Sequence, residues 1–395
     1  MMKQGFPKTA EADVVGIGFG PAGISFACAV ADADEEQGRG AAGSVVFLER
    51  ASRPCLPPEL LLPGTDAGHH VFGDLVTPRN PRSRFSFAMY LKEKGRLHGL
   101  GLLGRSASRL EWSDYVGWAA ERLAADVHYG EPVTEILPGL SEGVLTHLRI
   151  ATSSGVVRTR TLVVSDGVSP RIPALFQDHL GSHVFHSSEY LTRIGALQGG
   201  PFPKRWLVVG SGRSACTAAA DLLGRGDGIA VRSLHRSGGF TAAQSDPAAA
   251  PEGRALHSVL YERNVQGLEG LRTIIHSQAA AIAKAPSGYA VTVRNIVGNE
   301  ESTFDVDGIV LATGYDQPRI PPLFALLVPW LSFNEDGAVD IDRDCRVKLT
   351  GDTGVSIFMN GLSERMHGIS DAQPFSLMAL RSERILNAIV ASRGK

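Results

Sequence analysis

The glycines of Gly18-x-Gly20-x-x-Gly23, directly behind the apolar run 12–18, are the first residues whose types and spacing can do chemistry. The first makes a tight turn, the second lets a pyrophosphate reach the backbone, and the third lets the next helix pack closely on the strand. That helix, opened by Pro21 and Ala22, turns its positive end toward the phosphates. Glu49 and Arg50 close the next apolar run, where a carboxylate can take both hydroxyls of a ribose. The same grammar returns at Gly210-x-Gly212-Arg213-Ser214-Ala215, but the following run ends in His235-Arg236. A guanidinium there suits a ribose 2′-phosphate that a carboxylate would repel, which favours NADPH over NADH. Two such cradles in one chain imply a flavoprotein that takes hydride from a nicotinamide.

Elements must position these motifs. Residues 12–18 lack any polar period, as a strand buried on both faces should; 21–33 read as a helix, 34–43 as a loop and 44–49 as a second buried strand. Residues 205–226 and 229–236 repeat this βαβ unit. A third buried strand at 306–315 ends in small residues, Thr313 and Gly314, that let a ligand approach the backbone. Residues 377–391 carry apolar positions at helical spacing. The expected fold is α/β, with two Rossmann-like dinucleotide-binding domains built on doubly wound sheets. An FAD domain over 1–197 and 301–395 would receive an inserted NADPH domain over 198–300, with the substrate at their interface. Proline-bearing segments near 170–173 and 318–322 read as crossings between domains.

Composition narrows the function. Lys and Arg number 39 against 41 Asp and Glu, a net charge of −2 that gives a polyanion nothing to hold, so no nucleic-acid partner is expected. The four cysteines are far apart and make neither a metal site nor a redox pair, which argues against a disulfide reductase and leaves oxygen chemistry or electron transfer. The apolar stretch 321–331 is too short and too proline-broken to span a bilayer, and no signal-peptide core precedes the first strand. A cytoplasmic protein without metal or membrane partner is the expectation.

The words around these motifs match a known family. DVVGIGFGPAG (13–23), VFLER (46–50), LLPGTD (61–66), LVTPRNPRSRFSFAMYL (75–91) and RLEWSDYVGW (109–118) resemble the microbial N-hydroxylating flavoprotein monooxygenases, the ornithine and lysine N-hydroxylases of siderophore pathways. VFHSSEYL (184–191), LVVGSGRSA (207–215), LATGY (311–315) and HGISD (367–371) continue the match in order. The resemblance implies FAD at the first cradle, NADPH at the second, and a primary amine oxidised to a hydroxylamine through a flavin hydroperoxide formed with dioxygen. It also implies adenine contacts through the backbone at Val133, cofactor contacts at His367 and Ser370, and a homo-oligomer.

Departures from the family pattern bear on the substrate. Ornithine-specific members carry a methionine-glutamine pair after the PGTD word and, six residues beyond that methionine, a lysine that holds the substrate carboxylate. Here Ala67, Gly68 and Gly73 occupy those places, and the family segment that grips the amino acid's other end is missing within 238–264. The expected substrate is therefore an amine other than free ornithine or lysine, either small or tethered to a carrier, peptide or nucleotide. It must react as the neutral amine; an alkylammonium with a pKa of about 10.4 costs roughly 4–5 kcal/mol to deprotonate at pH 7, which a desolvated pocket can offset. Candidates around such a pocket are Asp66, His69, His70, Arg109, His367 and Ser370. His186 and Tyr190 read as structural. Oxidation of sulfur or carbon, or an FAD-binding module without turnover, are the alternatives.

Overall fold

A computed structural model describes residues 9–38, 40–53, 70–104, 106–240, 251–316, 318–361 and 375–393. Its parallel strands run along the chain as β1 (Val14–Ile17), β2 (Val45–Glu49), β3 (Asp126–Tyr129), β4 (Thr161–Val164), β5 (Val184–His186), β6 (Arg205–Val209), β7 (Ala230–Leu234), β8 (Leu271–Ile274), β9 (Gly308–Leu311) and β10 (Ser356–Met359). Five of them form one sheet in the order β10–β4–β1–β2–β3, and the other five form a second in the order β5–β9–β6–β7–β8. Every residue of β1 is buried, as the unbroken Val/Ile run requires of a central strand covered on both faces. Each parallel sheet carries an antiparallel meander between two of its strands, Val133–Ser141, Val144–Thr152 and Val156–Thr159 in the first half, where Thr9–Glu11 adds a parallel edge strand, and Ser277–Ala285, Gly288–Asn295 and Glu301–Val306 in the second.

The expected domain boundaries at 198 and 300 cut the second sheet, because β5 and β9 lie outside them and both belong to it. Ser169–Pro170 and Tyr315–Asp316 pair antiparallel with each other, so the chain enters and leaves the second half side by side. These two crossings lie beside the proline-bearing segments near 170–173 and 318–322.

Five helices matter for the site. α1 (Pro21–Gln37) follows β1, with proline in its first turn and Gly20 at a cap position that offers no side-chain acceptor, so its leading N–H groups are left for a ligand. α2 (Arg109–Arg122) begins at Ser108, whose side chain accepts from Glu111 N. It is fixed by aromatic packing: Trp112 stacks on Phe87 at 4.0 Å and 7°, with Tyr115 edge-on to both. α3 (Arg213–Leu223) follows β6 behind a bare Gly212 cap, and α4 (Pro251–Val265) packs along it. α5 (Phe375–Arg393) packs along α1. The apolar 321–331 stretch contains a 3-10 run, Pro322–Trp330, which buries Phe324 and Leu327. Among the described residues no helix is long and apolar enough to cross a membrane.

Candidate FAD and NADPH sites

Gly18, Gly20, Pro21, Ala22, Glu49, Arg50 and Val133 line one cavity of about 560 Å³ at the carboxyl ends of β1 and β2. The three fingerprint glycines differ in what surrounds them. Gly18 sits at φ +88°, and a Cβ there would lie 2.2 Å from Ser165 O. A Cβ on Gly23 would lie 2.2 Å from Gly18 O, whereas one on Gly20 would meet nothing within 4 Å. The first and third are closed by the protein itself; the second faces open space, where a phosphate can reach the backbone.

Glu49 is buried and aimed by two backbone donors, Phe19 N at 2.5 Å to Oε2 and Ala51 N at 2.7 Å to Oε1. Each carboxylate oxygen keeps a second lone pair for a ribose hydroxyl.

Other walls of this cavity come from residues that no sequence motif flagged, including Ser165, Asp166, Asn360 and Arg381. Asn360, directly after β10, is fully buried; its Nδ2 donates to Ala22 O at 2.9 Å and Ser165 Oγ at 3.3 Å. Its Oδ1 has no partner. A buried acceptor left unpaired costs about 1–3 kcal/mol, and a ligand hydroxyl would relieve it. Burial pushes the Asp166 carboxyl up, opposed by its own backbone N–H and Arg50. A signal for these residues existed, since ligands of such sheets lie outside the carboxyl ends of the strands, and Ser165 and Asn360 directly follow β4 and β10. The open glycine, the aimed carboxylate and the orphaned acceptor fit the pyrophosphate, ribose and hydroxyls of FAD.

At the second cradle Gly210 sits at φ +131°, and its Cβ would lie 2.1 Å from Ala312 O; Gly212 faces open space and Ala215 is buried. Arg236 stands exposed just beyond the end of β7, and Ser214 is exposed on the first turn of α3. The preceding His235 is buried, with Phe240 edge-on at 4.4 Å and neither ring nitrogen partnered. Burial pushes its pKa down to about 4.

Several expected site residues lie elsewhere. Arg109 is not on the FAD cavity: its Nη2 meets Glu252 Oε1 at 2.8 Å, and Arg213 joins the same oxygen. Thr313 and Gly314 belong to the crossing. The Thr313 hydroxyl donates to Arg171 O, while Gly314 O accepts from Arg171 N at 2.9 Å and from His186 Nε2 at 2.9 Å. The latter bond makes Nε2 the protonated nitrogen of His186 and leaves Nδ1 to accept from Ser188 N at 3.1 Å. His70 is exposed and accepts from Phe72 N at 3.3 Å. Asp66, His69, His367 and Ser370 lie outside the described residues.

Comparison with known proteins agrees with this geometry. The family model described as L-lysine 6-monooxygenase/L-ornithine 5-monooxygenase matches residues 10–251 and 248–317. A solved L-lysine 6-monooxygenase from Pseudomonas syringae is 44% identical, with a TM-score of 0.89 over 96% of this chain and 99% of that one. An ornithine N-hydroxylase of Kutzneria sp. 744, solved with reduced FAD, NADP+ and L-ornithine, is 30% identical with a TM-score of 0.86 over 98% and 100% of the two chains. An L-ornithine N(5)-monooxygenase of Pseudomonas aeruginosa is 28% identical over 421 aligned positions, covering 95% of this chain and 93% of that protein. The chain therefore belongs to the L-lysine 6-monooxygenase/L-ornithine 5-monooxygenase family, flavin-dependent N-hydroxylating monooxygenases that use FAD and NADPH.

Proposed function

We propose that this enzyme N-hydroxylates a primary amine other than free ornithine or lysine, with FAD in the first cradle and NADPH in the second. The observation that carries the exclusion is Gly73, which stands where the family pattern puts the lysine that holds an amino acid's carboxylate. A glycine offers that carboxylate no charge. The aligned length of 421 positions against 95% coverage of this chain means that the Pseudomonas aeruginosa relative holds residues this chain lacks, in keeping with the segment missing within 238–264. A shortened cover suits an amine without a free carboxylate, or one tethered to a peptide, carrier or nucleotide.

Reduced FAD supplies the chemistry that activates dioxygen and delivers one oxygen atom to the amine nitrogen. The chain binds and orients. Glu49 takes the ribose hydroxyls, Gly20 and the bare N-terminus of α1 take the pyrophosphate, and Asn360 Oδ1 accepts from a hydroxyl of the bound cofactor. Leu323 and Met378 add apolar wall that excludes water from the cavity.

Arg236 holds the 2′-phosphate of NADPH. Hydrogen bonds to charged groups contribute about 1.5–3 kcal/mol, so Arg236→Ala should lower the preference for NADPH over NADH about 10- to 100-fold. Rates of flavin reduction with each nucleotide measure it; an unchanged preference would remove Arg236 from the phosphate site.

Holoenzyme given NADPH, dioxygen and single amines tests the whole reading. Lysine, ornithine, simple diamines and peptide-linked lysine are assayed for hydroxylamine formed per NADPH consumed. A diamine or tethered amine should give near-stoichiometric hydroxylamine, while free lysine and ornithine should mainly yield hydrogen peroxide. The 44% identity to a protein named L-lysine 6-monooxygenase favours a second reading, in which free lysine is the substrate. Coupled turnover of free lysine would establish that reading and overturn the exclusion, and hydroxylamine from no amine would overturn both.

A further inference from the structure

Glu252 is the second residue of α4 and only 2% exposed, yet it is ionised between two guanidinium groups. Arg213 Nε and Nη2 approach its Oε1 at 2.9 and 2.8 Å, and Arg109 Nη2 approaches the same atom at 2.8 Å. Burial alone would raise the carboxyl pKa; the Arg213 hydrogen bond first, then the backbone N–H of Glu252 itself and the charges of Arg213 and Arg109, outweigh it and hold the group below its ordinary range. The two arginines come from different halves of the molecule. Arg109 opens α2, whose Trp112 and Tyr115 sit in the core of the FAD half. Arg213 is the first residue of α3, at the mouth of the second fingerprint, and is half exposed. Glu252 itself rides on α4, packed along α3.

We propose that Glu252 is a positioning residue that sets the nicotinamide-nucleotide half against the FAD half by holding Arg109 of one and Arg213 of the other on a single buried oxygen. Two guanidinium groups on one carboxylate leave a net positive charge beside the nucleotide cradle, so the bridge does not cancel the attraction for phosphate. Its Oε2 is buried without a hydrogen-bond partner, so both guanidinium groups converge on Oε1 alone. Hydride transfer needs the nicotinamide and flavin rings at near-contact distance, which a loosened bridge would lose even with both cofactors bound. Arg109, a candidate for contact with substrate on sequence grounds, acts here through Glu252.

This inference rests on the family's use of FAD and NADPH and not on the identity of the amine, so flavin reduction tests it without any substrate. Anaerobic reduction of the FAD-loaded enzyme at saturating NADPH, and NADP+ affinity measured separately by equilibrium titration, are compared for the parent, Glu252→Gln and Arg109→Gln. Both variants should be reduced at least tenfold more slowly while binding NADP+ within threefold of the parent, because neither substitution removes a positive charge from Arg213. Arg109→Lys should recover part of the rate. A rate at saturating NADPH within twofold of the parent in Arg109→Gln would overturn the proposal. So would a tenfold loss of NADP+ affinity with that rate intact, which would make Glu252 a local support for Arg213 only. Should Glu252→Gln fail to fold, Arg109→Gln decides alone, since it leaves the Glu252–Arg213 pair in place.

Discussion

Purified Gly18→Ala protein should come off the column colourless. The new Cβ would stand 2.2 Å from Ser165 O, a backbone atom at the end of β4 that cannot swing aside, and φ +88° is itself unfavourable for alanine. Holding a residue in such a conformation costs on the order of 1–3 kcal/mol, and relieving the clash moves the wall that Ser165 and Asp166 give to the cavity. FAD affinity should fall at least about 100-fold, about 2.7 kcal/mol, and the apoprotein should melt several degrees lower. Gly20→Ala is the informative contrast. Its Cβ meets no protein atom within 4 Å, so the apoprotein should keep the parent's melting temperature while FAD affinity drops through crowding of the pyrophosphate. Flavin absorbance per chain and thermal melts of both apoproteins separate the two effects. Parent-level flavin in Gly18→Ala would mean that FAD sits somewhere else.

Acid should weaken the apoprotein through His235. Burial lowers its pKa from the ordinary 6.5 to about 4, so the folded chain keeps the ring neutral in a range where the unfolded chain protonates it. The unfolded state therefore binds the proton first, and stability that is whole above about pH 6.5 drains away as the pH falls toward 4. At about 1.36 kcal/mol per pH unit, the loss from this residue between pH 7 and pH 5 is about 2 kcal/mol. His186 shifts the same way, mainly through burial, so the difference between parent and variant isolates His235. His235→Met keeps an apolar filling beside Phe240 and removes both unpartnered nitrogens. Urea midpoints of the two apoproteins should differ little in slope but diverge as the pH falls, with the variant ahead. Equal pH dependence in both would show that His235 is solvated in the folded state.

Much of the cofactor chemistry was legible because it is local. A strand, a glycine turn and a helix start fall within a dozen or so residues, and Gly18, Gly20 and Gly23 must adopt their roles wherever such a unit forms. Glu49 follows from the same unit, since the end of the second strand lies beside the first turn in any right-handed βαβ crossover. The pairing that places β5 in the second sheet is not legible in the same way. β5 is only three residues long and shows no period of its own, so nothing local announces that it pairs with β9.

What the sequence by itself determined is that this chain has two dinucleotide cradles, which end of each strand they occupy, and which family's chemistry they serve. Only the tertiary structure decided what completes them. Asn360 reaches Ala22 across 338 positions of chain, and Arg109 meets Glu252 across 143. No spacing rule spans such separations, because the folding of two sheets and the burial of the groups between them, rather than the covalent path, bring these side chains within hydrogen-bonding distance.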